Sequence, residues 1–149
     1  MSYTTVLVGL DGSSAALVAV DQAAQTALRN GAAVVVVCAY HPVPAREQAT
    51  ITVGTADARN RITGTGAAQS ALDDGVQRAL AVGVRDVEGR LVQSDAVDAL
   101  LHVAGQTTAD LIVVANRSAG TLSTRLLGSV ASAVVHRAPC DVLVVRVRG

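Results

Sequence analysis

Residues Leu111–Val147 read LIVVANRSAGTLSTRLLGSVASAVVHRAPCDVLVVRV. Leu111–Ala115 is an unbroken apolar run, the pattern of a strand covered on both faces. Polar and small residues follow, which predict a turn. A helix starting at Ser123 or Ser129 is then expected to run to His136, where Pro139 blocks its continuation. Val142–Val147 is a second apolar run. Strand, helix and strand in this order make a βαβ unit with parallel strands. A turn that ends on a helix N-terminus can hold a phosphate. Yet Ala115 and Ser118 occupy the first part of this turn, where a phosphate loop calls for glycine.

The same alternation extends back to the N-terminus. Three more strand-like runs precede the unit: Thr5–Gly9, Ala33–Tyr40 and Val87–Val92. The last is shorter than the second and the most polar of the three, as suits an edge strand. Helices are expected from Ser13 or Ser14 to Arg29, over Ala67–Val82, and over Asp95–Ala104, closed by Asn30-Gly31, Gly83 and Gly105. Five strands alternating with helices predict an α/β fold: a three-layer, doubly wound, five-stranded parallel sheet with helices on both faces. Ligands of such sheets bind beyond the strand C-termini, at the switch point. At 149 residues the chain is expected to form a single domain, 1–149. His41–Gly66 is its one long irregular stretch, leaving strand two at the ligand edge.

Composition narrows the function. There is no Phe or Trp, so the core must be built from Val, Leu, Ile and Ala. Twelve basic residues, all arginine, balance twelve acidic ones, which speaks against nucleic-acid binding. The first residues have neither a basic nor an apolar leader pattern, so no signal peptide is expected; no apolar run is long enough to span a membrane, and a cytoplasmic location is expected. Cys38 and Cys140 are open to reading as a disulfide, a metal pair or buried thiols; their apolar flanks favour buried thiols. His41, His102 and His136 fall on separate elements with no metal-ligand spacing. With no lysine there is no P-loop, and no G-x-S-x-G follows a strand.

Two stretches remain at the predicted ligand edge. Gly9-Leu10-Asp11-Gly12-Ser13-Ser14 follows strand one. Asp11 there accepts from a ribose hydroxyl or adenine amine, or else Asp11 or Ser13 simply caps the next helix. Ala115-Asn116-Arg117-Ser118 follows strand four, and Gly128-Ser129-Val130-Ala131 opens the last helix. Backbone N–H groups there, with Arg117 or Arg125, suit an anion; the plainer alternative is a turn with solvated arginines.

Together these stretches resemble the universal stress protein family over essentially the whole chain. Ala115, Ser118, Gly128 and Ser129 fall on the four positions of the family motif G-x2-G-x9-G-[S/T], and Arg137-Ala138-Pro139-Cys140-Asp141 before VLVVR matches its closing signature. The resemblance implies strand order 3-2-1-4-5, a homodimer, and no established catalytic machinery. It implies ATP binding in some members and none in others, with cyclic AMP bound by some relatives. Carried over, Gly9 and Asp11 would meet adenosine and Ala39 would present backbone to the base. Ala115, Asn116, Arg117 and Ser118 would lie along the ribose and α-phosphate. Gly128, Ser129, Val130 and Ala131 would meet the remaining phosphates, with Mg2+ present only beside a triphosphate. Replacing the first two motif glycines, and having Ala131 where ATP-binding relatives often carry a hydroxyl, weakens the phosphate half more than the adenosine half. The reading is therefore an ATP, AMP or cyclic AMP binder, most simply without catalysis. Its alternatives are a non-binding dimeric docking protein and a slow ATPase or adenylyl-transferring enzyme. An apolar edge strand, Val142 to Val147, is the expected dimer surface.

Overall fold

A computed structural model of the chain describes residues 2–41, 64–118 and 127–148. Strands and helices alternate throughout. They are β1 (Thr5–Leu10), α1 (Ser14–Asn30), β2 (Ala33–Tyr40), α2 (Thr65–Val82) and β3 (Val87–Gln93), followed by α3 (Ala96–Thr107), β4 (Leu111–Ser118), α4 (Ser129–Arg137) and β5 (Asp141–Arg148). All strand pairs are parallel, and the order is β3-β2-β1-β4-β5. The expected doubly wound architecture is present, with the polar third strand at one edge and the last strand at the other.

The period-two geometry of strands splits their apolar residues between two core layers. Val6, Val8, Val34, Val36, Leu111 and Val113 face α1 and α2. Leu7, Val35, Val37, Ile112 and Val114 face α3 and α4. With no Phe or Trp and only two Tyr, the molecule fills these layers by bringing helices close. Ala16, Ala19, Ala23, Ala24 and Ala27 form the buried stripe of α1. In α2 the same purpose is served by Gly75, where an added Cβ would overlap Leu10 Cδ1 and stand 3.1 Å from Val36 Cγ1.

The helix ends follow the capping chemistry, with one correction. Ser13 caps α1 by accepting from the Ala16 N–H, and Gly31 closes it in the left-handed region at φ 66°. Asp95 lies just outside α3 and caps it by accepting from the Asp98 N–H. That helix does not stop at Gly105; it continues to Thr107 and ends on Thr108 at φ 53°. A glycine inside a helix weakens it by only about 1 kcal/mol relative to alanine, so it need not terminate one. Of the long irregular stretch, residues 42–63 lie outside the described residues; the His41 carbonyl at its start accepts from the Gly64 N–H at 3.1 Å.

A second correction concerns β4. The sequence ends this strand at Ala115 and begins a turn there, whereas the strand continues to Ser118. Its partner explains the difference: β5 stays in register alongside it, pairing Ala115 with Val145 and Ser118 with Arg148. The ladder bonds supplied by this neighbour keep polar residues in extended backbone.

Pairing between β1 and β4 is much shorter. It runs only from Val6 with Leu111 to Val8 with Val113. Below it, the Asp110 carboxylate clamps the two strands. It accepts from the Thr4 N–H at 2.9 Å, the Thr5 N–H at 3.0 Å and the Thr4 hydroxyl at 3.1 Å. Partial desolvation pushes the Asp110 pKa up, but these donors outweigh it and hold it below the usual carboxylate value. Above the paired segment, β1 stays with β2 as far as Leu10 beside Cys38, β4 stays with β5, and the two halves of the sheet part.

Candidate ligand site at the strand switch point

The parting opens a crevice at the C-terminal edge of the sheet, where doubly wound folds bind ligands. Gly9, Leu10 and Asp11 at the end of β1 form one side, with Val114 and Ala115 of β4 opposite. Val37 and Ala39 extend it along β2, and Ala96 and Leu100 of α3, Ala16 of α1 and Val130 of α4 complete the lining. The space is about 100 Å³ and mostly apolar. Complete ligand pockets are typically ~300–1,000 Å³. A crevice of this size accommodates a single flat ring system, with the rest of a ligand lying along the open sheet edge.

Gly9 keeps the crevice open. A Cβ at this position would stand 3.0 Å from one Leu100 methyl and 3.3 Å from the other. Glycine thus lets Leu100 settle against the end of β1. Three residues on, Gly12 turns the chain at φ 82°, a backbone that side-chain-bearing residues adopt reluctantly. This turn folds Asp11 back onto α1. Its Oδ1 accepts from both the Ser13 N–H, at 2.9 Å, and the Ser13 hydroxyl. Ser13 Oγ in turn accepts from Ala16 N–H at 3.2 Å. Asp11 therefore buttresses the helix cap and also stands at the rim of the crevice.

Across the opening, α4 begins on Gly128, an N-cap with no side-chain oxygen to offer the first-turn N–H groups. Gly128 has φ −62°, so the glycine does not answer a need for left-handed backbone. Its own N–H donates to Asn116 Oδ1 at 2.7 Å. Ser129 and Val130 are exposed, whereas Ala131 is buried among the residues of the α3/α4 core layer.

Of the residues expected at the site, Gly9, Asp11, Ala39, Ala115 and Val130 line the crevice, and Gly128 and Ser129 begin the helix opposite. Asn116 is a buried strut, and the Ala131 methyl points into the core. Arg117 and Ser118 continue β4 as backbone, while Arg125 lies outside the described residues. Sequence reasoning missed Leu10, Ala16, Val37, Ala96, Leu100 and Val114 as lining residues. All six are apolar or small and look like ordinary core; their position at strand ends or near helix starts was the available signal.

Cys38 sits under this edge. Burial, and then the charge of Asp11, push its thiol up to about 11, so it is protonated at neutral pH and a poor nucleophile. Cys38 is buried and Cys140 half-buried, and the two are free thiols rather than a disulfide. Among the described residues no group of three His, Cys, Asp or Glu side chains is arranged to hold a metal. No helix among them is long and apolar enough to cross a membrane.

Known proteins share this arrangement. Residues 2–146 match the model of the universal stress protein family. Universal stress protein Rv1636 of Mycobacterium tuberculosis is 40% identical over 144 residues, which cover 97% of each chain. The solved structure of a universal stress protein in complex with cAMP is 37% identical, with a TM-score of 0.71 over 97% of this chain and 98% of that one. An Archaeoglobus fulgidus universal stress protein in complex with dAMP, 23% identical, shares the fold at a TM-score of 0.64 over 97% and 98% of the two chains. Strand order, closing segment and overall match agree, and the chain belongs to the universal stress protein family.

Proposed function

We propose that this protein binds an adenine nucleotide (ATP, AMP or cyclic AMP) in the crevice between β1 and β4, and serves a stress-response or signalling role in the cytoplasm without rapid turnover. The observation that carries the reading is the parting of the two strands, which sets an apolar slot between a carboxylate, Asp11, and the start of α4. The 37% identical relative solved with cAMP supports it. The base enters the slot against Ala39 and Leu100, the ribose lies toward Asp11, and the phosphate meets the Ser129 hydroxyl and the N–H groups of the first turn of α4 beyond Gly128. Ala115 puts a methyl in the wall where the family motif has glycine, and Ser118 replaces the second motif glycine. A compact mono- or cyclic phosphate therefore fits better than a triphosphate, and Mg2+ enters only with the latter.

Calorimetric titration with ATP, AMP and cyclic AMP tests this directly. AMP and cyclic AMP are expected to bind more tightly than ATP. Asp11→Ala should weaken each by roughly ten- to hundredfold, the scale of a lost hydrogen bond to a charged group. Absence of heat for all three at millimolar concentration sinks the reading. Nucleotide carried through purification is also readable at 260 nm, because the chain has no tryptophan.

A second reading, a dimeric docking protein, draws on β5. This strand pairs with β4 on one side and closes the sheet, and its Leu143 is 37% exposed. An apolar edge of this kind invites pairing with a second copy. Sedimentation at micromolar concentration is expected to give a homodimer through Val142 to Val147; a monomer there contradicts it.

A further inference from the structure

Asn116 is the buried polar side chain of the described core, 5% exposed. It lies on β4 two residues beyond Val114, hence on the same face of the sheet and next to the crevice. Its carboxamide oxygen reaches twelve residues along the chain to accept the Gly128 N–H at 2.7 Å. The contact is tight in the other direction too. A Cβ on Gly128 would stand 3.3 Å from that same oxygen, while the backbone there, φ −62°, is open to any residue. The glycine of the motif is thus matched here to Asn116: one supplies the acceptor, and the other leaves room for it. The pair joins the end of the strand that forms one wall of the crevice to the N-cap of the helix that starts across from it.

We propose that Asn116 is a positioning residue: by holding Gly128 it sets where the N-terminus of α4 stands relative to the base slot, and so determines how strongly a nucleotide's phosphate is preferred over the bare nucleoside. The proposal rests on the nucleotide reading above, and it moves Asn116 from ligand contact to support. Helix N-termini attract anions through aligned N–H groups over little more than one turn, so a small displacement of α4 removes most of the benefit. Apart from Val130, the lining of the apolar slot comes from β1, β2, β4, α1 and α3, and does not depend on it. The consequence is a selective effect. Losing the strut costs affinity for the charged part of the ligand and spares the base.

The test compares adenosine with AMP by calorimetry in the wild type, Asn116→Leu and Asn116→Ala. Leucine keeps the volume without the acceptor, and alanine serves if leucine does not fold. Amide hydrogen exchange at Gly128 is read in parallel. Expected are faster exchange at Gly128, adenosine affinity within twofold of wild type, and an AMP-to-adenosine affinity ratio lowered about tenfold, the scale of one charge–helix-terminus interaction. An unchanged ratio in a folded variant overturns the proposal, as does equal weakening of both ligands or unchanged exchange at Gly128. A wild type that binds both ligands while the variant's ratio holds overturns this proposal alone. A wild type that binds neither overturns the nucleotide reading and the proposal with it.

Discussion

Gly9→Val is expected to abolish nucleotide binding, lowering affinity at least a hundredfold, while the protein still folds. The residue's first added carbon already stands 3.0 Å and 3.3 Å from the two Leu100 methyls. Valine's further methyls must enter a slot of about 100 Å³ or push Leu100 into it. A hundredfold loss corresponds to about 2.8 kcal/mol, which exclusion of a ring from its slot readily supplies. Crowding of this kind costs about 1–3 kcal/mol of stability, partly offset because valine suits a strand better than glycine. Titration with AMP and cyclic AMP, alongside a circular dichroism melt, separates the two effects. Affinity retained within tenfold in the folded variant would place the base elsewhere.

The largest effect on stability is expected at Gly75→Ala. An alanine normally strengthens a helix by about 1 kcal/mol over glycine. Here the new methyl overlaps Leu10 Cδ1 and presses on Val36 Cγ1, and β1 and β2, which carry those side chains, lie at the centre of the sheet. Overpacking in the upper part of the usual range, about 2–3 kcal/mol, outweighs the helix gain, giving a net loss of roughly 1–2 kcal/mol. For a chain of this size that lowers Tm by about 2–8 °C. Gly105→Ala in α3 is the matched control. Nothing lies within 4 Å of its Cβ position, so the same substitution should stabilise by about 0.5–1 kcal/mol. Thermal melts that move in the same direction for both variants would contradict the close-packing account.

The contrast between these glycines shows where sequence reading has power and where it stops. The strands were legible because Val-rich runs such as Ala33–Tyr40 carry their burial in their composition, and Ser13, Gly31 and Gly83 declared their helix ends. Gly105 was misread because a helix interior and a helix end look alike when only one residue distinguishes them. Ser118 reads as part of a turn because its polarity is local, while the ladder that keeps it extended comes from β5, more than twenty residues later. The site was half legible for the same reason. Asp11 and Gly128 stand out by type, but Leu100 and Val37 become walls only when α3 and β2 are folded against the parting strands. Asn116 was noticed from the family motif, yet its partner at Gly128 is a matter of three-dimensional reach.

The short pairing of β1 with β4 also divides the sheet mechanically. On one side β3, β2 and β1 are joined by long ladders, and on the other β4 and β5 are joined along nearly their full length. Between them runs a seam of few backbone bonds, pinned at its lower end by Asp110 and unfastened at its upper end. Such a seam is the natural boundary between cooperative units, the line along which the native protein would first come apart. A ligand seated at the upper end touches both units at once and closes the side that Asp110 leaves free. Occupancy would then be felt far from the crevice, as a β4–β5 unit that exchanges its amides more slowly and unfolds together with the rest of the molecule rather than ahead of it.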